Sequence, residues 1–272
     1  MTPHLLKIEC LTNMHVGGGE VSYSAVDNDV QKDTVLDVPV IHSSGVKGAL
    51  RAHFSDILET DSIERIFGRD SGNDRGTSQG THKFFDAFCL ARPLRLISSA
   101  DASKAYVLAA GLDGLRHYVG FLRALGFEQW EVGDPQFADE PFVTAGQGGR
   151  ALFVEGEDAA KETGIDRSTN QALTALVGQP YALAETLDPY PLPVIARNCL
   201  ENGQSVNLWY EQLVPHKSIF YTVVISPTDQ LELKFDHTPV QFGGNATVGY
   251  GYTHVKVVSL PQKKGEAGHV SD

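Results

Sequence analysis

Short apolar and β-branched runs, separated by turns rich in glycine, asparagine and proline, predict that much of the chain is β-structure. Asn202-Gly203 between two such runs is typical of a tight hairpin turn. The run 83–96 is expected to leave the sheet through Pro93, because proline interrupts strand pairing. The predicted strands are 5–12, 83–96, 192–200, 206–213, 218–225, 231–235 and 253–259.

Two segments repeat their apolar residues at the helical period. Ser43 and Ser44 are typical N-cap residues, and a helix is predicted to follow them over about 45–57. A second helix is predicted over 112–125, ended by Gly126. The apolar face of the first helix is expected to consist of Val46, Leu50, His53 and Phe54.

The middle and the end of the chain depart from these patterns. The region 127–190 is acidic and broken by proline and glycine, so it is expected to be an insertion within a single domain spanning 1–260. The polar, glycine-rich stretch 69–80 predicts a mobile loop. The last residues, 261–272, are polar and are predicted to be a disordered tail.

Net charge argues against a nucleic-acid function at first sight. The chain has 22 Lys and Arg against 34 Asp and Glu, a formal charge of −12, whereas nucleic-acid binders are usually basic. The acids are concentrated between Glu128 and Asp188, however, and 45–53 carries Lys47 and Arg51 with no acid. A basic face and an acidic lobe can therefore coexist, and the total charge excludes neither function class.

The cysteines and the apolar runs indicate the compartment. Cys10, Cys89 and Cys199 are far apart and lie in strand-like runs, so they are expected to be small buried residues in a reducing environment. No apolar run approaches the roughly 18 residues that a membrane span needs. The N-terminus also lacks the pattern of a secretory signal. We therefore predict a cytoplasmic protein without a membrane partner.

Six segments carry recognisable motifs in a fixed order along the chain. They are the glycine turn 15–19, Asp27 with Gln31-Lys32-Asp33, 39–51, 84–95, 193–215 and the glycine-rich loop 243–251. Together they resemble the backbone subunit of type III-B CRISPR effector complexes, the Cmr branch of the RAMP superfamily. Departures are His42-Ser43 and Gly45 in the turn before the first helix, and the short spacing between Ile225 and Gly243, which leaves little room for a second core helix.

The resemblance implies an α+β fold, with a ferredoxin-like RNA-recognition-motif core, a large insertion and a protruding β-hairpin thumb around 201–204. A surface hairpin without RNA contact is the alternative for that segment. The implied partners are a CRISPR guide RNA, a complementary target RNA, copies of the same chain in a filament, and other subunits of the effector complex.

Such a subunit must hold RNA independently of sequence, through backbone N–H groups and a few basic side chains at phosphates. An ordinary solvated helix face is the alternative for Lys47 and Arg51, and a tight turn is the alternative for the C-terminal glycines. The candidate RNA-binding residues are His15, Gly17, Gly18, Ser44, Lys47, Arg51, Arg197, Gly243, Gly244 and Asn245.

The resemblance also implies metal-dependent cleavage of the target at regular intervals, with Asp27 in the matching position on a mobile loop. Its carboxylate would hold Mg²⁺ or another divalent cation, or steer deprotonation of the 2′-hydroxyl that attacks the phosphate. Asp29 is the alternative acid, and a solvated loop residue is the alternative role for Asp27. His15 has the pKa of a general base, but its turn position favours a structural or RNA-contact role.

Three other functions stay open. A purely structural filament subunit would bind guide RNA without cutting, and it would not need Asp27. The type III-A counterpart would use the same chemistry in a different complex, although the segments 211–215 and 247–249 favour type III-B. A repeat-processing endonuclease of the same superfamily is disfavoured by the Lys-Gly-Ala-Leu-Arg helix of 47–51.

Overall fold

The structure is a computed structural model, and it describes residues 1–18, 26–69, 76–98, 105–127, 130–137, 141–145, 152–154, 157–160, 165–178, 181–236 and 238–258. The predicted tail 261–272 lies outside these residues. The helices are α1 (Ser43–Ser55), α2 (Thr60–Phe67), α3 (Leu112–Ala124) and α4 (Arg167–Leu176). The strands are β1 (Thr2–Cys10), β2 (Val40–Ile41), β3 (Gly68–Arg69), β4 (Ser78–Gln79), β5 (Lys83–Phe84), β6 (Ala87–Ser98), β7 (Tyr106–Gly111), β8 (Phe142–Ala145), β9 (Leu152–Val154), β10 (Glu157–Ala160), β11 (Tyr181–Ala184), β12 (Val194–Glu201), β13 (Gln204–Gln212), β14 (Ile219–Ser226), β15 (Val240–Gln241) and β16 (Tyr252–Val257).

A large sheet of twelve strands organises the chain. Its first part has the order β15-β16-β1-β14-β6, and every neighbouring pair there is antiparallel. β1 is central, since Ile8 lies opposite Phe220 on one side and Val255 on the other. The turn that follows β1 therefore leaves from the middle of the sheet, beside the C-terminal strand.

The second part of the sheet closes on itself. β6 pairs with β7, followed by β11, β8, β10 and β9, and β9 pairs back with the end of β6. One hydrophobic cluster, which includes Leu94, Val107, Phe142 and Ala182, belongs to these strands. The acidic region 127–190 thus contributes four of the six strands in the ring, together with α4.

β1 contributes side chains to two larger hydrophobic clusters, and each cluster also contains side chains from two of the helices. Leu6, Ile8 and Cys10 pack in the cluster of α1 and α2, whereas Leu5 packs in the cluster of α3 and α4. This separation follows from the alternation of side chains along a strand. The predicted apolar face of α1 is confirmed for Val46, Leu50 and Phe54, which are buried, whereas its fourth member, His53, is half-buried. In the described residues, no helix is both long and apolar enough to cross a bilayer.

One strand prediction is confirmed in part and another is wrong. The predicted strand 83–96 is present as β5 and β6. It does not leave the sheet at Pro93 but continues to Ser98, because Pro93 lies opposite Leu108 of β7 while β14 pairs only with the preceding residues. A proline is tolerated where a neighbouring strand is present on one side only. The segment 231–235 forms no strand, although Leu231 and Leu233 are buried in the core.

The loop prediction is wrong at the ends of the stretch, and the cysteine prediction is confirmed in part. The ends of the stretch 69–80 form the small hairpin β3–β4, and 70–75 lie outside the described residues. Cys10 and Cys89 are buried as predicted, and burial raises the pKa of the Cys89 thiol to about 12. Cys199 is instead exposed, since the hairpin strand that carries it stands away from the core.

The predicted serine cap of α1 is also wrong. The N-cap position is His42, and no side chain of this segment caps the helix. The carboxylate of Asp86, which lies between β5 and β6, takes this place: its Oδ1 accepts the Ser43 N–H at 2.7 Å, and its Oδ2 lies 3.3 Å from His42 Nδ1. A carboxylate at this end also complements the positive end of the helix dipole.

Replacing Asp86 with alanine is expected to lower the free energy of unfolding by about 0.5–2 kcal/mol, the usual range for losing a helix cap. Chemical denaturation of the two proteins measures this difference. Ser44→Ala is the matched control, because the exposed Ser44 side chain makes no cap hydrogen bond and its loss should leave stability unchanged. Equal destabilisation by both variants would contradict the role given to Asp86.

Candidate RNA-binding and cleavage site

The turn after β1 is hydrogen-bonded to the C-terminal glycine loop. The Gly244 N–H donates to the His15 carbonyl at 2.9 Å, and the Gly251 N–H donates to the Asn13 carbonyl at 2.8 Å. Gly243 has a φ of +77°, and a Cβ there would lie 2.3 Å from the His15 carbonyl oxygen. Only glycine fits such a position without strain. The first and last candidate RNA-binding segments therefore form one continuous surface.

A buried carboxylate joins this surface to the hairpin β12–β13. Glu211, near the end of β13, is 3% exposed. Its Oε2 accepts a hydrogen bond from Arg197 at 2.8 Å, and its Oε1 accepts one from Asn245 Nδ2 at 2.9 Å. His15 Nε2 lies 3.9 Å from Oε1. Because a buried charge is costly unless it is paired, these contacts identify Glu211 as the centre of the cluster.

The Arg197 side chain is held by contacts within this chain. Its guanidinium group is 5.7 Å from the centre of the Trp209 ring and 5.6 Å from that of Tyr250, in addition to its ion pair with Glu211. Such contacts between a cation and aromatic faces are attractive. They fix the base of the hairpin against the glycine loop, and binding of RNA by Arg197 stays a prediction.

The His15 ring is held in place by its surroundings. Its Nδ1 lies 2.8 Å from the Gln212 carbonyl oxygen, and the residue is only 9% exposed. Gly17 lies beside the ring, since a Cβ there would be 3.1 Å from Nε2. This geometry favours the structural role of His15 over that of a general base. Gly18, by contrast, has open space where a side chain would be.

Asp27 is exposed, and its position is set by β13. Its Oδ2 accepts the Tyr210 N–H at 2.7 Å, while its own N–H and that of Asn28 donate to the Tyr210 carbonyl, each at 3.1 Å. The Gln212 N–H donates to the Asn28 carbonyl at 2.9 Å. The residues just after 26 are therefore hydrogen-bonded to β13, whereas 19–25 lie outside the described residues, and the mobility of this loop stays a prediction.

The remaining candidates, Ser44, Lys47 and Arg51, lie on α1. The chain reaches this helix from Asp27 through a bridge between Lys32 and Pro39, followed by β2. Lys47 and Arg51 are half-buried and Ser44 is exposed. Among the described residues, neither Ser44 nor Lys47 takes part in the hydrogen bonds that connect the other candidate residues.

Asp27 is the residue of this site that would hold a divalent cation. Within the described part of the chain, no group of three or more His, Cys, Asp or Glu side chains is arranged to hold a metal ion. Asp27 Oδ1 accepts no hydrogen bond from the described residues, so one carboxylate oxygen is open. Mg²⁺ is often bound by one or two carboxylates together with water and substrate phosphates. Asp27 would supply the protein's oxygen ligand in such an arrangement.

Sequence reasoning missed Glu211 as a site residue, although it lies in one of the six motif segments. The available signal was its position in the hairpin. Ile195 lies opposite Glu211 and Arg197 opposite Trp209, so Arg197 and Glu211 are diagonal neighbours on one face. An acid and a base at this cross-strand spacing are expected to form an ion pair.

The match to a family model identifies the class of protein. The family model described as "RAMPs: RAMP superfamily" matches residues 7–254, and the chain belongs to this superfamily. A relative described as "CRISPR system Cmr endoribonuclease Cmr4", from Pyrococcus furiosus, is 22% identical over 303 aligned positions, which cover 97% of this chain and 99% of the relative.

Two solved structures share the fold. One is described as the type III-B Cmr-beta complex bound to cognate target RNA; its matching chain is 18% identical, with a TM-score of 0.73 and coverage of 94% of this chain and 97% of that one. The other is oligomeric Cmr4 from Pyrococcus furiosus, 19% identical, with a TM-score of 0.66 and coverage of 96% and 100%. The mixed α+β class predicted from the sequence is confirmed by the large sheet and the four helices.

Proposed function

We propose that this chain is a guide-RNA-binding backbone subunit of a type III-B CRISPR interference complex, and that it cleaves complementary target RNA at regular intervals with a divalent cation. The observation that carries this proposal is the junction of the two glycine segments with Asp27 through the base of one hairpin. Candidate RNA-binding residues and a candidate cleavage residue thus share one connected surface.

The strand order supports a ferredoxin-like core. β16, β1, β14 and β6 are neighbours in that order, and α1 lies in the chain between β1 and β6. This is the arrangement of a β-α-β-β-α-β unit. The described residues between β14 and β15 contain no helix. The second helix of the unit is therefore the part that this chain has replaced.

The domain organisation and the thumb are part of the same proposal. A single domain over 1–260 is supported by the ring of strands in which the region 127–190, the proposed insertion, pairs with β6 and β7. The thumb is assigned to the hairpin β12–β13, whose turn at Asn202-Gly203 has positive φ at both residues. Its exposed apolar side chains support a contact outside this chain, and they include Val194, Leu200, Val206, Leu208 and Tyr210.

Guide RNA would be held by backbone N–H groups at the two glycine segments and by Lys47 and Arg51 on α1. Phosphate contacts of this kind position RNA without reading its sequence. The open space above Gly18 and Gly244 allows a phosphate to approach the backbone closely. Copies of the same chain, the complementary target and the other effector subunits would complete the assembly, in the cytoplasm.

Cleavage would use the 2′-hydroxyl of the target nucleotide beside the scissile phosphate. Its oxygen would bond to the phosphorus and form a 2′,3′-cyclic phosphate, while the bond from phosphorus to the 5′-oxygen of the next nucleotide breaks and that oxygen takes up a proton from water. Asp27 would orient that hydroxyl or accept its proton through Oδ1, while the Tyr210 N–H holds Oδ2 and limits rotation of the carboxylate. A bound divalent cation would neutralise charge on the phosphate. Because both contacts to Asp27 come from the hairpin base, the reactive oxygen is held in a defined direction.

Two alternative functions share part of this proposal. The structural filament subunit without nuclease activity would keep every glycine contact but would not use Asp27. The type III-A counterpart would share the fold and the chemistry. The relative that matches over nearly the whole chain is described as a Cmr endoribonuclease, which favours the type III-B assignment.

The test uses the assembled complex with its guide RNA and an end-labelled complementary RNA. We expect a ladder of products at regular spacing in Mg²⁺, no ladder in EDTA, and no ladder with a non-complementary RNA. Guide retained without any cleavage would indicate the structural filament subunit. Failure of the assembled complex to retain guide RNA would contradict the whole proposal.

A further inference from the structure

We propose that Glu211 is a positioning residue, which couples the guide-binding glycine loop to the cleavage residue Asp27. The inference rests on the proposed function and adds a role for a residue that does not itself contact RNA. It predicts that a substitution of Glu211 slows cleavage of the target RNA while guide RNA and target RNA remain bound.

The first step is the charge balance around Glu211. A carboxylate that is 3% exposed is stable only when its oxygens are satisfied, and breaking such a pair is strongly destabilising. One oxygen is paired with Arg197 and the other with Asn245, which come from different segments. The carboxylate therefore holds the hairpin and the glycine loop in one fixed relation.

The second step concerns the glycine loop. Asn245 has a φ of +62°, in the left-handed region, and it precedes the short helical turn 246–248. Its side chain donates to Glu211, and the neighbouring Gly244 N–H donates to the His15 carbonyl. The Asn245 side chain therefore anchors the loop at the point where its backbone turns toward the first glycine segment.

The third step leads to Asp27. Tyr210 directly precedes Glu211, and both backbone polar groups of Tyr210 are hydrogen-bonded to the segment of Asp27 and Asn28. A shift of Glu211 would move the Tyr210 backbone, and with it the N–H that holds the Asp27 carboxylate. A displacement of about 1 Å at a reacting group can slow a reaction about 10²-fold.

Glu211 is not placed to act on RNA directly. Its side chain is almost fully buried, and both of its carboxylate oxygens are already hydrogen-bonded within the chain. Asp27 is exposed and has an open oxygen. The geometry therefore separates the group that contacts substrate from the group that fixes its position.

The test compares Glu211→Gln with Glu185→Gln in the assembled complex. The first change keeps the size of the side chain but replaces one acceptor oxygen with an NH₂ group. The second neutralises an exposed acid just after β11, outside the hairpin, the glycine segments and α1. We expect Glu211→Gln to lower the single-turnover cleavage rate at saturating target about 10- to 100-fold, with guide occupancy and half-saturating target concentration within about 2-fold of wild type. Glu185→Gln should cleave at the wild-type rate.

Amide hydrogen exchange at Tyr210 supplies a second measurement. The Tyr210 N–H should exchange faster in Glu211→Gln than in wild type, and Glu185→Gln should leave it unchanged. If Glu211→Gln fails to assemble, Glu211→Asp retains the charge and both acceptors on a shorter side chain. We then expect a slower rate with unchanged target binding.

The outcomes separate this inference from the proposed function. Cleavage at the wild-type rate by Glu211→Gln, in a complex whose wild type does cut, overturns only the inference. An equal loss of target binding and cleavage rate in Glu211→Gln or Glu211→Asp also overturns it, because it assigns a general structural role. A wild-type complex that binds guide and target without cutting overturns the proposed function, and the inference with it.

Discussion

Replacing Asp27 with asparagine is expected to slow cleavage of the target RNA by about 10²- to 10⁴-fold, the usual range for losing a group that transfers a proton. Asparagine has nearly the same size, and its carbonyl oxygen can still accept the Tyr210 N–H, so the local fold should persist. It lacks the negative charge that would bind a cation or accept a proton. Single-turnover cleavage by the assembled complex, with guide occupancy measured in parallel, tests this expectation.

Asp29→Asn is the matched control for this experiment. Asp29 is two residues away and half-buried, and its backbone carbonyl accepts the Gly18 N–H at 3.4 Å. Its substitution should leave the cleavage rate unchanged. If Asp29→Asn abolished cleavage while Asp27→Asn did not, the catalytic assignment would move to Asp29. If both variants cut at the wild-type rate, neither acid would belong to the reaction.

The parts of the site that could be predicted from the sequence are the ones that lie in short local motifs. The glycine turn after β1, Asp27 and the loop 243–251 stand in a recognisable order, and their residue types suit close approach of a backbone to RNA. Their spatial convergence also follows from the fold, because β1 and β16 are paired neighbours. Loops at the same end of adjacent antiparallel strands lie close together, so no additional sequence signal is needed to predict that they meet.

Only part of the role of Glu211 could be predicted in the same way. The hairpin register places Arg197 diagonally across from it, but its second partner, Asn245, lies 34 residues further along the chain. The cap of α1 is a similar case, since Asp86 is 43 residues from Ser43. Contacts of this range are set by tertiary structure, whereas sequence periodicity reports only local conformation.

The region 127–190 shows a further limit of periodicity. Its strands are only three or four residues long, and β11 pairs in parallel with β7, which precedes it by about seventy residues. Short strands give too few positions for an alternating pattern. All four residues of β11 are buried, so this strand has no polar face to identify it.

Gly243→Ala is the second substitution with a large expected effect. Holding alanine at a φ of +77° costs about 1–3 kcal/mol, and its Cβ would lie 2.3 Å from the His15 carbonyl oxygen. That oxygen is the acceptor for the Gly244 N–H, so the contact between the two glycine segments should be lost. We expect a lower free energy of unfolding for the chain and weaker guide binding, measured by chemical denaturation and by titration with guide RNA.

Gly244→Ala is the control, and it separates folding from binding. No atom lies within 4 Å of a Cβ at Gly244, and its N–H would remain available to His15. Stability should therefore stay within about 0.5 kcal/mol of wild type. A guide phosphate that approaches this backbone would meet the added methyl group, so guide binding should weaken although the fold is intact. Wild-type stability and guide binding in Gly243→Ala would show that the two glycine segments do not form one RNA-binding surface.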